Sequence, residues 1–142
     1  MYRYYNNCAN AYRALGDFDN ALLYYHKAAD IVKNLHPSQK VSSYYYLANT
    51  YASIGRTEEA DLYYKKLISG RSEYLSPGHP LLSYDFLAYG DFLTKTGTSE
   101  EAIKYLESAL QIRIKYLGEK HWLTSEAYRF LGRCHMQMND WE

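Results

Sequence analysis

Several common signatures are scarce or missing in this 142-residue chain. It has only two cysteines, and Cys8 and Cys134 stand at opposite ends of the sequence with no CxxC spacing. Neither a disulfide framework nor a zinc or thiol-redox motif is readable there, and both side chains are expected as buried thiols. The three prolines fall in two short segments, His36-Pro37 and Pro77-Gly78-His79-Pro80, so helices elsewhere are unobstructed. No apolar run approaches the ~18 to 20 residues that a spanning helix needs. The N-terminal MYRYYNNC lacks the basic-then-apolar layout of a signal peptide. A cytoplasmic protein with no membrane role is the expectation. Net charge is absent too: 16 Lys and Arg balance 16 Asp and Glu. No global field would draw the chain to nucleic acid.

Catalytic and cofactor motifs are equally sparse. There is no GxGxxG or GxxxxGK[ST] loop, so nucleotide binding is not expected. None of the histidines His26, His36, His79, His121 and His135 has a second His or Cys three to five residues away, the spacing a metal finger needs. His79 and His121 stand one period apart just before helices and read as turn residues. The pairs Glu58-Glu59 and Glu100-Glu101 resemble acid/base candidates. Their place in the first turn of a helix suits the helix dipole instead. No convergent acid, base or nucleophile is found, and neither enzyme activity, cofactor nor metal is expected.

What the chain does have is tyrosine: 18, against four Phe and two Trp. A tyrosine buries a ring and keeps a hydroxyl for a partner, which suits surfaces that are half core and half binding site. The chain also repeats. LGDFDNALLYYHKAA from Leu15, IGRTEEADLYYKKLI from Ile54 and TGTSEEAIKYLESAL from Thr96 superimpose, with Gly16, Gly55 and Gly97 spaced by 39 and then 42 residues. A fourth copy, EAYRFLGRCHMQMNDWE, places Asn139 where the glycines stand, the other residue that tolerates a left-handed backbone.

Each copy reads as a helix pair. Before the glycine, Tyr44, Leu47, Ala48 and Tyr51 form an i, i+3, i+4, i+7 stripe. The glycine turns the chain. Asp17 then supplies an N-cap, and Thr98 with Glu101 fits a capping box. The second helix buries Ala21, Tyr24, Tyr25 and Ala28. Small residues recur where helices must approach closely: Ala9, Ala48, Gly90 and Gly132 in the first helix, Ala21, Ala60 and Ala102 in the second. Large ones recur opposite them, such as Tyr5, Tyr44, Phe86 and Tyr128, or Tyr25, Tyr64 and Leu106. A single pair cannot bury both its faces, so copies must stack. The expected fold is all-α: about three and a half antiparallel pairs over about 2–35, 38–75, 79–117 and 121–142, forming one domain.

This pattern resembles the tetratricopeptide repeat, read in the third copy as Phe86, Tyr89, Gly90, Leu93, Gly97, Ala102, Leu106 and Ala109. The 42-residue period resembles the long-helix variant of kinesin light chains and many bacterial signalling proteins. Cys8 and Tyr89 depart from the usual Leu. The resemblance implies a right-handed superhelical α-solenoid. It also implies a closing helix, whereas here the second helix of copy four would be only about two residues long. Helix 121–138 would then show Leu131, His135 and Met138 to water and favour self-association. Both ends read as cut from a longer array.

In the resembling family, first-helix residues line a concave groove that holds a peptide or partner segment. The corresponding positions here give Asn6, Asn10, Arg13, Tyr45, Asn49, Leu87, Asp91, Arg129 and Arg133. Asn10, Asn49, Asp91 and Arg133 form a polar ladder in which an Asn amide would both donate to and accept from a peptide backbone. Arg129 and Arg133, one turn apart, would share a carboxylate. Chaperone-binding members use a Lys where Asn6 stands, so a chaperone tail is not the expected ligand. The first function expected is a non-catalytic peptide-binding interaction module. The alternative is a regulatory or oligomerisation segment of a larger signalling enzyme, such as a sensor kinase or a caspase-like protease.

Overall fold

The computed structural model describes residues 1–139, and the expected opening of a further helix beyond Asn139 lies outside them. The elements are α1 (Tyr2–Ala14), α2 (Phe18–Val32), α3 (Pro37–Ser53), α4 (Thr57–Ser72), α5 (Pro80–Lys95), α6 (Ser99–Leu117) and α7 (Trp122–Asn139). Among the described residues all regular structure is helical, as expected. The helices group into two units, Met1–Leu75 and Ser76–Glu142.

The turn between paired helices has the predicted chemistry. Gly16, Gly55 and Gly97 take φ of 78°, 77° and 87°, a left-handed conformation that only glycine adopts without strain. Asp17 caps α2 by accepting from the Asn20 amide at 3.2 Å. The capping box at Thr98 is not formed: the Thr98 side chain makes no cap bond, and its hydroxyl lies 3.5 Å from that of Thr96. Glu100 and Glu101 in the first turn of α6 still complement the helix dipole. Asn139 is likewise not a left-handed turn residue, since it closes α7 in ordinary helical geometry.

The first helices of three copies begin alike. His36, His79 and His121 each present Nδ1 to the amide two residues on, at 3.2 Å in every case. Pro37 and Pro80 follow two of them, where the missing N–H is one the helix would leave unpaired.

In the first unit α1 packs on α2, α2 on α3 and α3 on α4. Ala9, Ala21, Tyr25, Ala28, Val32, Val41, Leu47, Ala48, Ala60 and Leu67 have no solvent exposure. Each buried Leu contributes about 2 kcal/mol of transfer free energy. Helices α3 and α4 approach closely at Gly70, where a Cβ would stand 2.7 Å from Val41 Cγ1. Tyr24, expected inside, is half-buried, and so is Cys8.

In the second unit α6 packs on both α5 and α7. A Cβ at Gly90 would meet Leu106 Cδ2 at 2.6 Å, so glycine is what lets α5 and α6 close. Gly132 differs: nothing lies within 4 Å of a Cβ there, because no described helix packs across it. Leu131, expected at the surface, is buried with Thr124, Ala127 and Cys134 on one side of α7. His135 is exposed as expected, together with Tyr128 and Met136, while Met138 is half-buried. Arg113 is 1% exposed. It donates to the Leu123 carbonyl at 2.6 Å and Glu126 at 2.9 Å, tying α6 to α7. Its guanidinium also covers the Tyr84 ring of α5 at 5.2 Å.

Candidate functional site

The proposed ligand positions sit on the first helix of each copy, and the structure treats them differently. Asn6 and Leu87 are buried, 8% and 7% exposed. Asn10, Arg13, Asn49 and Asp91 are half-buried, while Tyr45, Arg129 and Arg133 are exposed.

In the first unit the two asparagines are already engaged. The Tyr25 hydroxyl donates to Asn10 Oδ1, and the Tyr64 hydroxyl donates to Asn49 Oδ1 at 2.6 Å. Both bonds span 15 residues, from a second helix back to the first helix of the same copy. Burial pushes the Tyr25 phenol pKa upward, opposed by the charge of Arg13, which keeps the hydroxyl protonated as a donor. Each amide oxygen thus has one hydroxyl donor, which leaves it a second lone pair and leaves the side-chain NH2 group.

Nearby, His26 of α2 reaches the second copy. Its Nε2 lies 2.8 Å from the Tyr51 hydroxyl. Its ring meets Tyr51 and Tyr63 edge-on at 6.1 and 6.0 Å. Burial lowers its pKa, Lys66 and Arg56 push the same way, and Asp30 opposes them.

In the second unit the groove positions pair with one another. Arg133 of α7 donates to Asp91 Oδ1 of α5 at 3.0 Å, and Lys95 reaches Asp91 Oδ2 at 2.8 Å. The guanidinium groups of Arg133 and Arg129 lie 4.6 and 5.7 Å from the centre of the Phe130 ring. Together with Gly132 and Met136 these side chains line an open cleft of about 700 Å³ between α5 and α7. Arg129 and Arg133 do not form an empty clamp, since Arg133 already has an anion. Lys95 and Phe130 were not anticipated. Lys95 stands four residues after Asp91, and Phe130 lies between the two arginines in sequence; both spacings were available as signals.

Among the described residues no three His, Cys, Asp or Glu side chains gather as metal ligands would, and no helix is long and apolar enough to cross a membrane.

Helix pairs repeated with glycine turns, small-residue seams and buried tyrosines define an α-helical repeat protein. The chain belongs to the tetratricopeptide repeat family, whose sequence model matches residues 1–73 and 81–142. Repeats of this family generally mediate protein–protein interactions. No curated protein matched the chain in sequence. Among solved structures, it resembles the nearly identical TPR-like repeats described as a kinesin light chain from Podosopora anserina. The TM-score is 0.84 at 20% identity over 96% of this chain and 66% of that one. A singly substituted form of the same repeats gives 0.84 at 21% identity, with the same coverage. BtubC (BKLC) from P. vanneervenii matches with a TM-score of 0.82 and 21% identity over 92% of this chain and 52% of its own. The chain thus spans two thirds or less of these proteins, and the likeness is one of fold.

Proposed function

We propose that the chain is a non-catalytic, cytoplasmic interaction module that holds a peptide or partner segment against its first helices. The observation that carries this reading is the α5–α7 cleft. Three of the groove positions, Asp91, Arg129 and Arg133, line it beside the exposed Met136 and the half-buried Phe130. Charged side chains around an apolar floor are what a short segment with mixed side chains needs for both affinity and orientation. In the first unit, Asn10 and Asn49 offer their side-chain NH2 groups to ligand carbonyls, with Arg13 and Tyr45 on the same helices.

The test is a displayed peptide library selected on the intact chain, followed by calorimetry of the selected peptides. Arg129→Ala and Met136→Ala alter exposed side chains, so helicity and melting temperature should stay nearly constant. Affinity is expected to fall about tenfold or more for peptides seated in the cleft. Selected peptides that bind both variants unchanged would remove the cleft from the proposal.

A further inference from the structure

Away from the groove positions, α3 and α4 border a recess of about 380 Å³. The close approach at Gly70 shapes it: Val41 of α3 occupies the space a Cβ would take, and the neighbouring Lys40 comes to line the same recess as α4. Three ammonium groups meet there, Lys40 of α3 with Lys65 and Lys66 of α4, against one carboxylate, Glu73. Lys65 pairs with Asp61 at 2.8 Å, and Lys66 lies 5.0 Å from the centre of the Tyr63 ring. Among the described residues neither Lys66 nor the half-buried Lys40 has a carboxylate within ion-pair reach. Tyr44 and the exposed Leu62 give the recess an apolar wall, and Ser69 adds a hydroxyl. The charge is peculiar to this copy. At the positions of Lys65 and Lys66 the first copy has His26 and Lys27, and the third has Glu107 and Ser108, so the helix pair itself does not require two lysines there.

We propose that this recess binds a phosphorylated side chain of a partner protein, with Lys40, Lys65 and Lys66 on the phosphoryl oxygens and Tyr44 and Leu62 against an adjoining apolar residue. The site is separate from the α5–α7 cleft and does not depend on it. The lining's formal excess of two positive charges matches a phosphomonoester, which carries a charge of about −1.5 to −2 at neutral pH. Ammonium groups suit that ligand. Each is a point charge with three donors and lacks the planar fork with which arginine grips a carboxylate, so three of them, from two helices, can each take one oxygen. Lys65 is shared with Asp61, but that pair is open, with side chains 59% and 33% exposed, and such pairs are weak. A recess of one sign with partly apolar walls concentrates its field on a small anion. The chain as a whole is neutral, and two surplus charges in a recess are too few to recruit a nucleic-acid strand or an anionic bilayer.

The probe is the peptide Ala-Leu-phosphoserine-Leu-Ala, compared with its serine and glutamate forms, titrated calorimetrically into the intact chain. The phosphorylated form should bind about tenfold more tightly than either. Lys40→Gln and Lys66→Gln should each weaken it about fivefold, and Glu73→Gln should tighten it about threefold. Lys104→Gln removes the same charge from an exposed position on α6, and should leave affinity within about twofold. Equal weakening by Lys104→Gln would reduce the effect to the general field and overturn the site. So would equal binding of the phosphorylated and serine peptides. A glutamate peptide as tight as the phosphorylated one would refute the phosphoryl preference. Loss of the phosphopeptide in Met136→Ala but not in Lys40→Gln would place it in the α5–α7 cleft, overturning the recess and leaving the groove reading intact. Loss in Lys40→Gln but not in Met136→Ala supports the recess whatever the groove binds. Phosphoinositide-containing vesicles that bind through Lys40 and Lys66 when the phosphopeptide does not would replace the partner protein by a lipid headgroup and overturn the proposal.

Discussion

The two units solve the same problem at the same repeat position with different chemistry. In the first unit the groove residue is Asn10 or Asn49, and fifteen residues later a buried tyrosine, Tyr25 or Tyr64, donates to it from the second helix. In the second unit the corresponding residues are Asp91 and Leu106. Leucine has no hydroxyl, so Asp91 has no donor behind it at that position and pairs forward, with Lys95 and with Arg133 of the next copy. Two changes, Asp for Asn in the groove and Leu for Tyr behind it, thus separate a polar residue locked within its copy from one that bridges copies. A seam residue changes with them: Ala9 and Ala48 accompany the tyrosines, whereas Gly90 lies against Leu106.

The largest expected effect tests that seam. Gly90→Ala places a methyl 2.6 Å from Leu106 Cδ2 and 2.7 Å from its Cγ, and should cost about 1–3 kcal/mol in urea unfolding. Gly132→Ala has open space and should gain about 0.5–1 kcal/mol through helix propensity alone. Equal effects at the two sites would show that the close approach of α5 and α6 does not depend on the glycine.

Next comes the tyrosine lock. Tyr64→Phe removes the donor to Asn49 without opening a cavity, and should cost about 1 kcal/mol. It should also return Asn49 Oδ1 to a ligand as an acceptor. Combining it with Asn49→Leu, which removes the orphaned oxygen, should recover part of the loss. A double-mutant cycle with no coupling would break the comparison between the units at its centre.

These two residues also show how much was legible in advance. The helix pairs, their glycine turns and the small-residue seams follow from spacing, because helix periodicity and left-handed glycine leave local marks in sequence. The groove positions came from the family resemblance, and the structure leaves seven of the nine exposed or half-buried. What Asn49 and Asp91 do there depends on a residue fifteen positions away, and that pairing exists only once two helices close. Leu131 differs from its expectation for a related reason: which face of α7 is covered is decided by α6, not by α7. Arg113 reads as an ordinary surface cation in QIRIKYL, and only packing reveals it buried against Glu126 and the Leu123 carbonyl.

Acid should act on the first unit through His26. The corresponding residue of the second unit, Glu107, is exposed, so this half-buried imidazole has no equivalent there. With its folded pKa held down by burial and by Lys66 and Arg56, His26 stays neutral in the native state while the unfolded chain takes up a proton below the ordinary imidazole value of about 6.5. Proton uptake then favours unfolding, so stability falls as pH drops below that value. The slope from this group is at most about 1.4 kcal/mol per pH unit. Urea midpoints measured at pH 7.5 and 5.5 should draw together in His26→Gln relative to the wild type. An unchanged pH response in that variant would assign the acid sensitivity to other groups.

The smallest of these effects on stability is expected at Asp91. Asp91→Asn breaks two partly exposed ion pairs, with Lys95 and Arg133 side chains 68% and 48% exposed, and such pairs contribute about 0–1 kcal/mol each. The asparagine amide still bonds to Arg133 through its oxygen, so the unfolding free energy should change by less than about 0.5 kcal/mol. The opposite result, a loss comparable to Tyr64→Phe, would mean that the Asp91–Arg133 bridge holds α5 and α7 together as the tyrosines hold α1 to α2 and α3 to α4. The two units would then share one kind of structural lock. A near-silent substitution leaves the first unit with polar residues committed to the fold and the second with polar residues available to a partner.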